Sequence, residues 1–439
     1  MLAFLFCIFV LVYGVFFNSS WWLILLSMLF IYPLCFFFNL NYSFLSKSSL
    51  VSLDYFSFLM LVLTFWIVFL CFFSSIYLIS HNFSLYFLFM MGGLMFFLIM
   101  FFILSNFFLF FFFFEATLFP TLFIILGWGN NFERLSSGFY LFFYTLFSSM
   151  PMMFSIFFFS EMNNTLEFLF MEMKNSFNLI YFMLVISFLV KMPMFLVHSW
   201  LPKAHVEAPV SGSMILAGVL LKMGGYGIFR LSFLYKYFLS LNVIWIYISI
   251  WGGILSSMIC MRQVDLKSLI AFSSISHMSL VIIGLVIYSN LGVIGSLMLM
   301  VAHGLCSSGM FYLANVVYER SGTRSIFLNK GLMSIYPSLS LWWFLLCSFN
   351  MAAPPSLNLI SEIFLIGGLV SWSFSFVFFL MLISFLGGAY NLFLFSFTNH
   401  GKLFSGLHLL NPCYIREFLI LFLHIFPIFV LFLKLDFFY

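Results

Sequence analysis

The chain has 439 residues, of which 65% are hydrophobic and only 6% carry a charge, and its mean hydropathy is +1.21. A soluble domain carries about 25% charged residues, so this composition excludes a water-soluble globular protein and predicts an integral membrane protein. The net charge is +4, and the basic residues are scattered through connecting segments. No basic run indicates a nucleic-acid partner.

The N-terminal segment Met1–Phe17 is apolar from its first residue. It lacks the basic start of a secretory signal and the Arg-rich pattern of a transit peptide. We therefore expect a retained first helix, which fits synthesis inside an organelle or a bacterial type of insertion.

Apolar runs set the predicted helices, because a membrane-spanning helix needs about 20 apolar residues. The sequence predicts about 14 such helices. In chain order their predicted bounds are 1–17, 21–40, 56–78, 84–104, 107–127, 139–160, 177–200, 209–231, 241–261, 267–288, 291–316, 338–370, 373–397 and 417–437.

Prolines interrupt two of these spans. In the seventh, Pro193 follows Lys191 and Pro202 comes later; in the twelfth, Pro354 and Pro355 precede an acid. Broken helices persist in membranes only where protein or a water-filled cavity satisfies the freed backbone groups. Two breaks in corresponding positions favour an internal repeat of the transporter type, and ordinary proline kinks are the alternative.

Charged residues are rare inside the predicted spans. Of the 16 basic and 12 acidic residues, only Glu115, Lys191, Lys222 and Glu362 lie well within them. Each ionised group at a helix centre costs about 2.5–3.5 kcal/mol, which a purely structural protein has little reason to carry. Two acids and two bases can neutralise one another, either as a switchable proton relay or as static buried ion pairs.

Histidines add proton carriers to this set. His277 lies in a serine-rich stripe of the tenth span, and His303 lies in the eleventh. Imidazole exchanges protons near neutral pH through either nitrogen, although a lone buried histidine is often only a hydrogen-bonded core residue. His198 and His205 flank Pro202, and the sequence does not decide between a proton-carrying and a structural role for them. His424 is interpreted as structural.

Motifs for other chemistry are absent from the sequence. It contains no P-loop, no GxGxxG between a strand and a helix, no HExxH motif and no CxxC pair among its seven cysteines. We therefore expect this chain to bind no redox cofactor, no iron–sulfur cluster and no metal. Any electron transfer that it serves takes place elsewhere.

Several segments match a known family from about Phe107 to Glu362. They are Gly127–Gly129, Glu133-Arg134, Leu189–Pro193, His198–Pro209, Leu220–Gly227, Asp265–Ala271 and Ala302–Gly304. With these segments the chain resembles the subunit 4 family of the mitochondrial NADH–ubiquinone oxidoreductase, among the antiporter-like subunits of respiratory complex I. Outside that range the resemblance rests on hydropathy and on the order of the spans.

The resemblance implies an all-α polytopic membrane protein of about 14 transmembrane helices, with two inverted five-helix repeats that contain broken helices. It implies an N-terminal region (1–104), two antiporter-like halves (105–231 and 232–397) and a C-terminal loop and helix (398–439). The breaks fall near 191–202 and 353–362.

A proton path is the function that the resemblance implies. Its residues would be Glu115, Lys191, Lys222, His277, His303 and Glu362. Electrons would pass from NADH through a flavin and iron–sulfur clusters to ubiquinone in other subunits of the inner mitochondrial membrane complex, with this chain organelle-encoded. In one departure, Ser361 stands where the family usually has glycine, and its hydroxyl is expected to bond Glu362 or to crowd the break.

Two other function classes are compatible with such a chain. A subunit of a multi-subunit cation/proton antiporter would use the same buried lysines and acids. A sodium site would need several clustered oxygen ligands, and the sequence shows no such cluster. A structural membrane scaffold would have no use for the four buried charges.

The distribution of loop cations predicts the orientation, because short loops rich in Lys and Arg stay on the matrix or cytoplasmic side. Loops after odd-numbered spans carry Arg134, Lys203, Arg262, Lys267, Arg320, Arg324, Lys330, Lys402 and Arg416, and the other side carries Lys47, Lys174, Arg230, Lys236 and Lys434. The Arg320–Lys330 loop should therefore face the matrix, with both termini opposite. Labelling or proteolysis of this loop from the outer face of intact inner membrane would contradict the orientation.

Overall fold

The computed structural model describes residues 46–47, 52–80, 83–129, 131–168, 178–232, 238–404 and 412–438. The predicted spans 1–17 and 21–40 lie outside the described residues. Near the start of the described part, β1 (Ser46–Lys47) pairs antiparallel with β2 (Ser52–Leu53). The buried ionisable residues predicted as site residues all lie in helices.

Contacts divide the described residues into two units. Unit 1 holds those up to Ser187 together with Glu207–Ile215, and unit 2 holds Phe188–Val206 and those from Leu216 onward. The predicted boundary at 231/232 falls within unit 2, so the division into antiporter-like halves stays a prediction.

Unit 1 begins with five helices. They are α1 (Tyr55–Ser74), α2 (Ser84–Ile103), α3 (Phe107–Ala116), α4 (Leu118–Trp128) and α5 (Arg134–Asn163). The predicted span 107–127 is thus interrupted at Thr117. Pro120 has no N–H for the carbonyl of Ala116, and its ring crowds that carbonyl, which accounts for the interruption.

Phenylalanines build the core of unit 1. Phe101, Phe107, Phe110 and Phe114 are buried where α2 packs against α3. The rings of Phe101 and Phe110 stack with centroids 4.3 Å apart. The phenylalanine runs therefore supply packing, through aromatic pairs of the usual geometry.

The remaining helices continue from α6 to α16. They are α6 (Asn178–Lys191), α7 (Trp200–Glu207), α8 (Val210–Arg230), α9 (Leu239–Cys260), α10 (Leu266–Ile287), α11 (Asn290–Ser321), α12 (Leu332–Ile335), α13 (Pro337–Asn350), α14 (Leu357–Trp372), α15 (Val377–Asn399) and α16 (Ile415–Leu433). Short 3₁₀ turns flank three helices at Ile76–Ser80, Phe374–Phe376 and Leu435–Phe438.

Ten helical segments in the described part of the chain are long and apolar enough to cross a membrane. Two further apolar helices, α6 and α14, are shorter. The prediction of a polytopic, mainly helical membrane protein is confirmed. The count of about 14 spans stays a prediction. Three of the most enclosed spans are α8, α10 and α11, with 94%, 89% and 83% of their apolar windows buried. These three helices carry Lys222, His277 and His303.

Both predicted helix breaks are present. α6 ends at Lys191, and helix resumes only at Trp200; α13 ends at Asn350, and α14 starts at Leu357. Proline by itself does not explain them, because α5 and α16 run through Pro151 and Pro427 without a break.

Side chains satisfy the carbonyls that the breaks set free. The indole Nε1–H of Trp200 donates to the Val190 carbonyl at 3.0 Å, next to the first break. The Asn358 amide donates to the Phe349 carbonyl at 2.7 Å, across the second break. Each break is thus held by a polar side chain from the following helix, as an apolar environment requires.

A buried ion pair fastens the last helix to the long helix α11. The Arg320 Nη2 atom lies 2.5 Å from Glu417 Oε2, and the two side chains are 3% and 2% exposed. Arg320 also donates to the carbonyls of Val316 and Pro412. Glu417 in turn accepts the Tyr414 backbone N–H at 3.2 Å and so caps α16.

Replacing Glu417 with alanine should destabilise unit 2, because it leaves a buried guanidinium without its carboxylate. The expected loss is about 3–5 kcal/mol, visible as a lower melting temperature of the purified assembly. Lys330→Ala is the matched control. Its ammonium lies 5.2 Å from the centre of the Phe327 ring, a contact worth about 0.5–1 kcal/mol. Equal stability of the two variants would contradict the assigned role of the ion pair.

Candidate functional site: a buried line of proton-exchanging side chains

Four predicted site residues form a line inside unit 2. Lys222 Nζ lies 3.2 Å from His303 Nδ1. The rings of His303 and His277 follow, with centroids 5.3 Å apart. His277 Nδ1 then lies 3.6 Å from Glu362 Oε1. Helices α8, α11, α10 and α14 contribute one member each, so the line depends on how these helices pack together.

Lys222 follows a local irregularity of α8. Residues Leu216–Leu220 form a π-helical turn within the span, a distortion that is frequent at functional sites. The Lys222 ammonium donates to the Ala217 carbonyl in that turn, while the same nitrogen contacts His303. The Lys222 side chain is fully buried. The π-helical turn supplies a carbonyl that accepts a hydrogen bond from its ammonium in place of water.

The tautomer of His303 follows from its neighbour. An ammonium has only donors, so a protonated Lys222 requires an unprotonated Nδ1 on His303 and leaves the ring proton on Nε2. That Nε2 is buried with no hydrogen-bond partner among the described residues. In this arrangement one ring nitrogen of His303 can accept a proton while the other can release one.

His277 lies between two oxygen groups. Glu362 faces Nδ1, and the Tyr390 hydroxyl lies 3.0 Å from Nε2. The same hydroxyl lies 3.2 Å from Ser276 Oγ. Of these residues, His277 and Tyr390 are buried, and the Glu362 side chain is 14% exposed. Each ring nitrogen thus has a neighbouring group with which an imidazole can exchange a proton.

A cavity of about 20 Å³ adjoins the Glu362 end of the line. Its lining includes His277, Glu362, Tyr390, Asn350 and Ser384. A cavity needs roughly 10–15 Å³ to hold one water molecule, so a water fits beside the carboxylate. Asn350 ends α13 at the second break, which places that break at the wall of the cavity.

Ser361 does not behave as the sequence suggested. Its hydroxyl is buried and donates to the Asn358 carbonyl of its own helix at 2.7 Å. The single hydroxyl proton is thereby used within α14, so it is not available to Glu362. The break in the chain also forms despite the hydroxyl.

Lys191 and Glu115 belong to different units. Lys191 is the last residue of α6 and is 4% exposed, within unit 2. Glu115 lies near the end of α3 in unit 1, and both of its carboxylate oxygens are buried. Their burial is as expected for relay residues, and their pairing stays a prediction.

The other histidines divide by their surroundings. His424 Nδ1 lies 2.8 Å from the Ile420 carbonyl of its own helix, which fits a structural role. His205 stacks on Phe311, with ring centroids 4.5 Å apart and planes 6° from parallel, and neither nitrogen has a hydrogen-bond partner among the described residues. His198 stacks on Phe195 at 4.9 Å. These stacking contacts do not extend to the line, but His205 lies near enough to Lys222 and His303 for their charges to interact.

Sequence reasoning missed the neutral polar residues around the line. Tyr390 was not singled out, nor was the pair in which the Asn350 amide donates to Asn391 Oδ1 at 2.9 Å. The available signal was a Tyr-Asn pair near the centre of the mainly apolar span α15. Polar groups at such positions need partners and so indicate the face that points into the bundle. The described residues contain no group of three or more His, Cys, Asp or Glu side chains that could hold a metal ion.

Comparisons with known proteins agree along the whole chain. Residues 104–387 match the family described as NADH:quinone oxidoreductase/Mrp antiporter, and residues 1–101 match the amino terminus of NADH-ubiquinone oxidoreductase chain 4. The NADH-ubiquinone oxidoreductase chain 4 of Aedes aegypti is 49% identical, covering 100% of this chain and 99% of the relative. That of Locusta migratoria is 46% identical, with 100% of both chains covered. A chain in the structure of respiratory complex I from Thermus thermophilus with bound NADH has the same fold, with 21% identity, a TM-score of 0.88, and 100% of this chain and 96% of that chain covered.

A close backbone approach positions Lys222. Gly224 is two residues further along α8, and a Cβ there would lie 2.8 Å from the Phe188 carbonyl oxygen and 2.8 Å from the Met192 nitrogen. Gly224→Ala should therefore push α8 away from the end of α6, at a cost of about 1–3 kcal/mol. A lower melting temperature and weaker proton translocation would report the change.

Gly93→Ala is the matched control within α2, because nothing lies within 4 Å of the added Cβ. There alanine should be neutral or stabilise by about 0.5–1 kcal/mol through its helix propensity. Wild-type stability of the Gly224 variant would show that the close approach is not needed.

Proposed function

This chain belongs to the family of NADH-ubiquinone oxidoreductase chain 4, and from that membership we propose that it is the proton-translocating membrane subunit of the NADH–ubiquinone oxidoreductase. The observation that carries the proposal is the buried line from Lys222 through His303 and His277 to Glu362. It crosses four helices and contains only groups that can exchange protons. As a subunit, the chain serves an enzyme whose redox chemistry takes place in partner subunits.

The internal repeat is the finer part of the proposed fold. Two inverted five-helix repeats, within about 14 spans, would place the two helix breaks in equivalent positions. Supporting this, Lys191 precedes the first break and Glu362 follows the second. The halves 105–231 and 232–397 would each contribute one broken helix to the path, with 1–104 and 398–439 flanking them.

The path would work in short proton transfers. Protonated Lys222 donates to His303 Nδ1, and His303 then releases its Nε2 proton toward His277. His277 exchanges the proton with Glu362, whose carboxyl borders the cavity that can hold a water. Each acceptor is neutral or anionic when its donor is charged, so the buried line never holds two adjacent unpaired cations. The family resemblance suggests travel from Lys222 to Glu362.

Lys191 and Glu115 would couple this path to the rest of the complex. We expect their attraction to hold the proton on Lys191 while both are charged. A shift of charge in the partner arm would weaken that attraction and release the proton toward Lys222. Burial makes this coupling strong, because charges interact more strongly where water is excluded.

The cellular setting follows from the same premise. The chain is a multi-pass membrane protein of the respiratory complex, and we propose the mitochondrial inner membrane as its location, with the gene in the organelle. Its partners would be the other membrane and peripheral subunits and the lipid around them. NADH, flavin, iron–sulfur clusters and ubiquinone would be bound by those subunits, and this chain would bind none of them.

A stand-alone or multi-subunit cation/proton antiporter is the less favoured alternative. The matched family includes antiporters, and the buried lysines would serve either function. The relatives at 46–49% identity over essentially the whole chain are NADH-ubiquinone oxidoreductase chains. They favour the oxidoreductase.

Lys191 is the residue whose substitution separates a relay from a static ion pair. Lys191→Ala should reduce proton transfer through this subunit by roughly a hundredfold or more, while the complex still assembles, because an unpaired Glu115 becomes a neutral acid at small cost. Lys191→Arg should also impair pumping, since a guanidinium holds its proton throughout the accessible pH range. The measurement is protons translocated per electron pair in vesicles that contain each variant.

Lys203→Arg provides the matched control, because Lys203 is exposed on α7 and the same change there should leave pumping intact. Normal pumping by the Lys191→Arg variant would establish a static ion pair and remove Lys191 from the relay.

A further inference from the structure

The Tyr390 hydroxyl contacts His277, which belongs to the proposed proton path. We infer that Tyr390 is a positioning residue, whose hydroxyl decides which nitrogen of His277 holds the proton. The inference rests on the proposed function, since it concerns how His277 exchanges a proton with Glu362. It assigns a role to α15, a span that otherwise carries no member of the path.

The hydroxyl of Tyr390 faces two acceptors. It lies 3.0 Å from His277 Nε2 and 3.2 Å from Ser276 Oγ. Ser276 already donates its only hydroxyl proton to the Ser273 carbonyl at 2.8 Å. Ser276 Oγ therefore acts as an acceptor toward Tyr390, and it competes with His277 for one phenolic proton.

This competition creates two hydrogen-bond arrangements. In the first, Tyr390 donates to Ser276, and its oxygen accepts a proton from His277 Nε2–H. In the second, the hydroxyl turns and donates to an unprotonated Nε2, so the ring proton of neutral His277 must lie on Nδ1. Rotation of one hydroxyl thus selects the tautomer of the imidazole, as a hydrogen bond at one nitrogen generally does.

Each arrangement suits one state of Glu362. With Nε2 protonated, the free Nδ1 accepts the proton of a neutral Glu362 carboxyl, which gives imidazolium and carboxylate. With Nδ1 protonated, Nδ1–H faces an ionised Glu362. The first arrangement holds one proton more than the second, and this is the proton that the path carries. The carboxyl proton comes to rest on Nδ1, the Nε2 proton is exchanged with the neighbouring His303, and the phenolic proton stays on Tyr390.

The backbone carbonyl of Asn350 also bonds His277, but a carbonyl only accepts, so it cannot change between donating and accepting as the Tyr390 hydroxyl can. Among the described residues, the titratable neighbours are His303 from α11, Glu362 from α14 and, beyond His303, Lys222 from α8. The Cys260 thiol of α9 donates to the Leu269 carbonyl, so its proton is not directed at the imidazole of His277. Tyr390 is fully buried, so bulk water does not replace its hydroxyl.

The test compares two substitutions that affect the hydrogen bond of the Tyr390 phenolic proton in different ways. Tyr390→Phe removes the hydroxyl, and Ser276→Ala removes the competing acceptor while the tyrosine ring stays in place. Both should lower the protons translocated per electron pair. Both should also remove the His277 contribution to the infrared band of Nε2-protonated neutral histidine, which is the part of the band that a His277→Gln variant lacks, in difference spectra recorded during NADH oxidation with isotope-labelled histidine. Tyr181→Phe, at another fully buried tyrosine, should leave the ratio and the band unchanged.

Glu362→Gln separates this inference from the proposed function. If Glu362→Gln stops proton transfer while Tyr390→Phe and Ser276→Ala pump normally and keep the tautomer band, the role of Tyr390 is overturned and the relay stands. If Glu362→Gln pumps normally, the relay itself is wrong. Should Tyr390→Phe fail to assemble, Ser276→Ala decides alone, because it keeps the ring that packs in the core.

Discussion

Mutual neutralisation of buried ionisable groups is the constraint on which the rest of this structure depends. Lys222, His303, His277 and Glu362 occupy four helices whose other buried faces are mainly apolar. An isolated charge at such depth costs several kcal/mol, so each group needs a neighbour that can share its proton or its charge. The packing of α8, α10, α11 and α14 provides those neighbours within hydrogen-bonding or near hydrogen-bonding reach. The same contacts that lower the energetic cost of these groups would, in the proposed function, let protons pass between them.

The irregular backbone serves the same constraint. Helix breaks after Lys191 and Asn350 and the π-helical turn before Lys222 each free carbonyl groups inside the bundle. Trp200 and Asn358 satisfy carbonyls at the two breaks, and the Lys222 ammonium uses a carbonyl of the π-helical turn. Departures from regular helix therefore occur where polar side chains or a cavity can compensate for them, as a lipid environment demands.

Sequence reasoning went furthest where a physical penalty marks the residue. Ionisable side chains in apolar spans predicted the residues that lie in the line. Prolines beside Lys191 and Glu362 predicted two helix breaks, and the structure has a break at each place. Neutral polar residues carry a weaker signal, so Tyr390 was missed. The interruption at Thr117 and the use of the Ser361 hydroxyl within α14 were also not predicted. The use of the Ser361 hydroxyl depends on which carbonyl lacks a donor in three dimensions, and hydropathy along the chain does not contain that information. The interruption at Thr117 follows from Pro120, which hydropathy alone does not mark because it lies within a continuous apolar run.

Replacement of Lys222 by methionine tests the central claim most directly. Methionine keeps an unbranched, buried side chain and removes the ammonium that contacts His303. The decisive measurement is the number of protons translocated per electron pair during NADH oxidation in sealed vesicles containing the assembled complex. If the buried line carries protons, the ratio falls below that of the wild type in complexes present at normal amounts. A Lys222→Met complex with the wild-type ratio would show that the line is a structural ion network and that protons cross elsewhere.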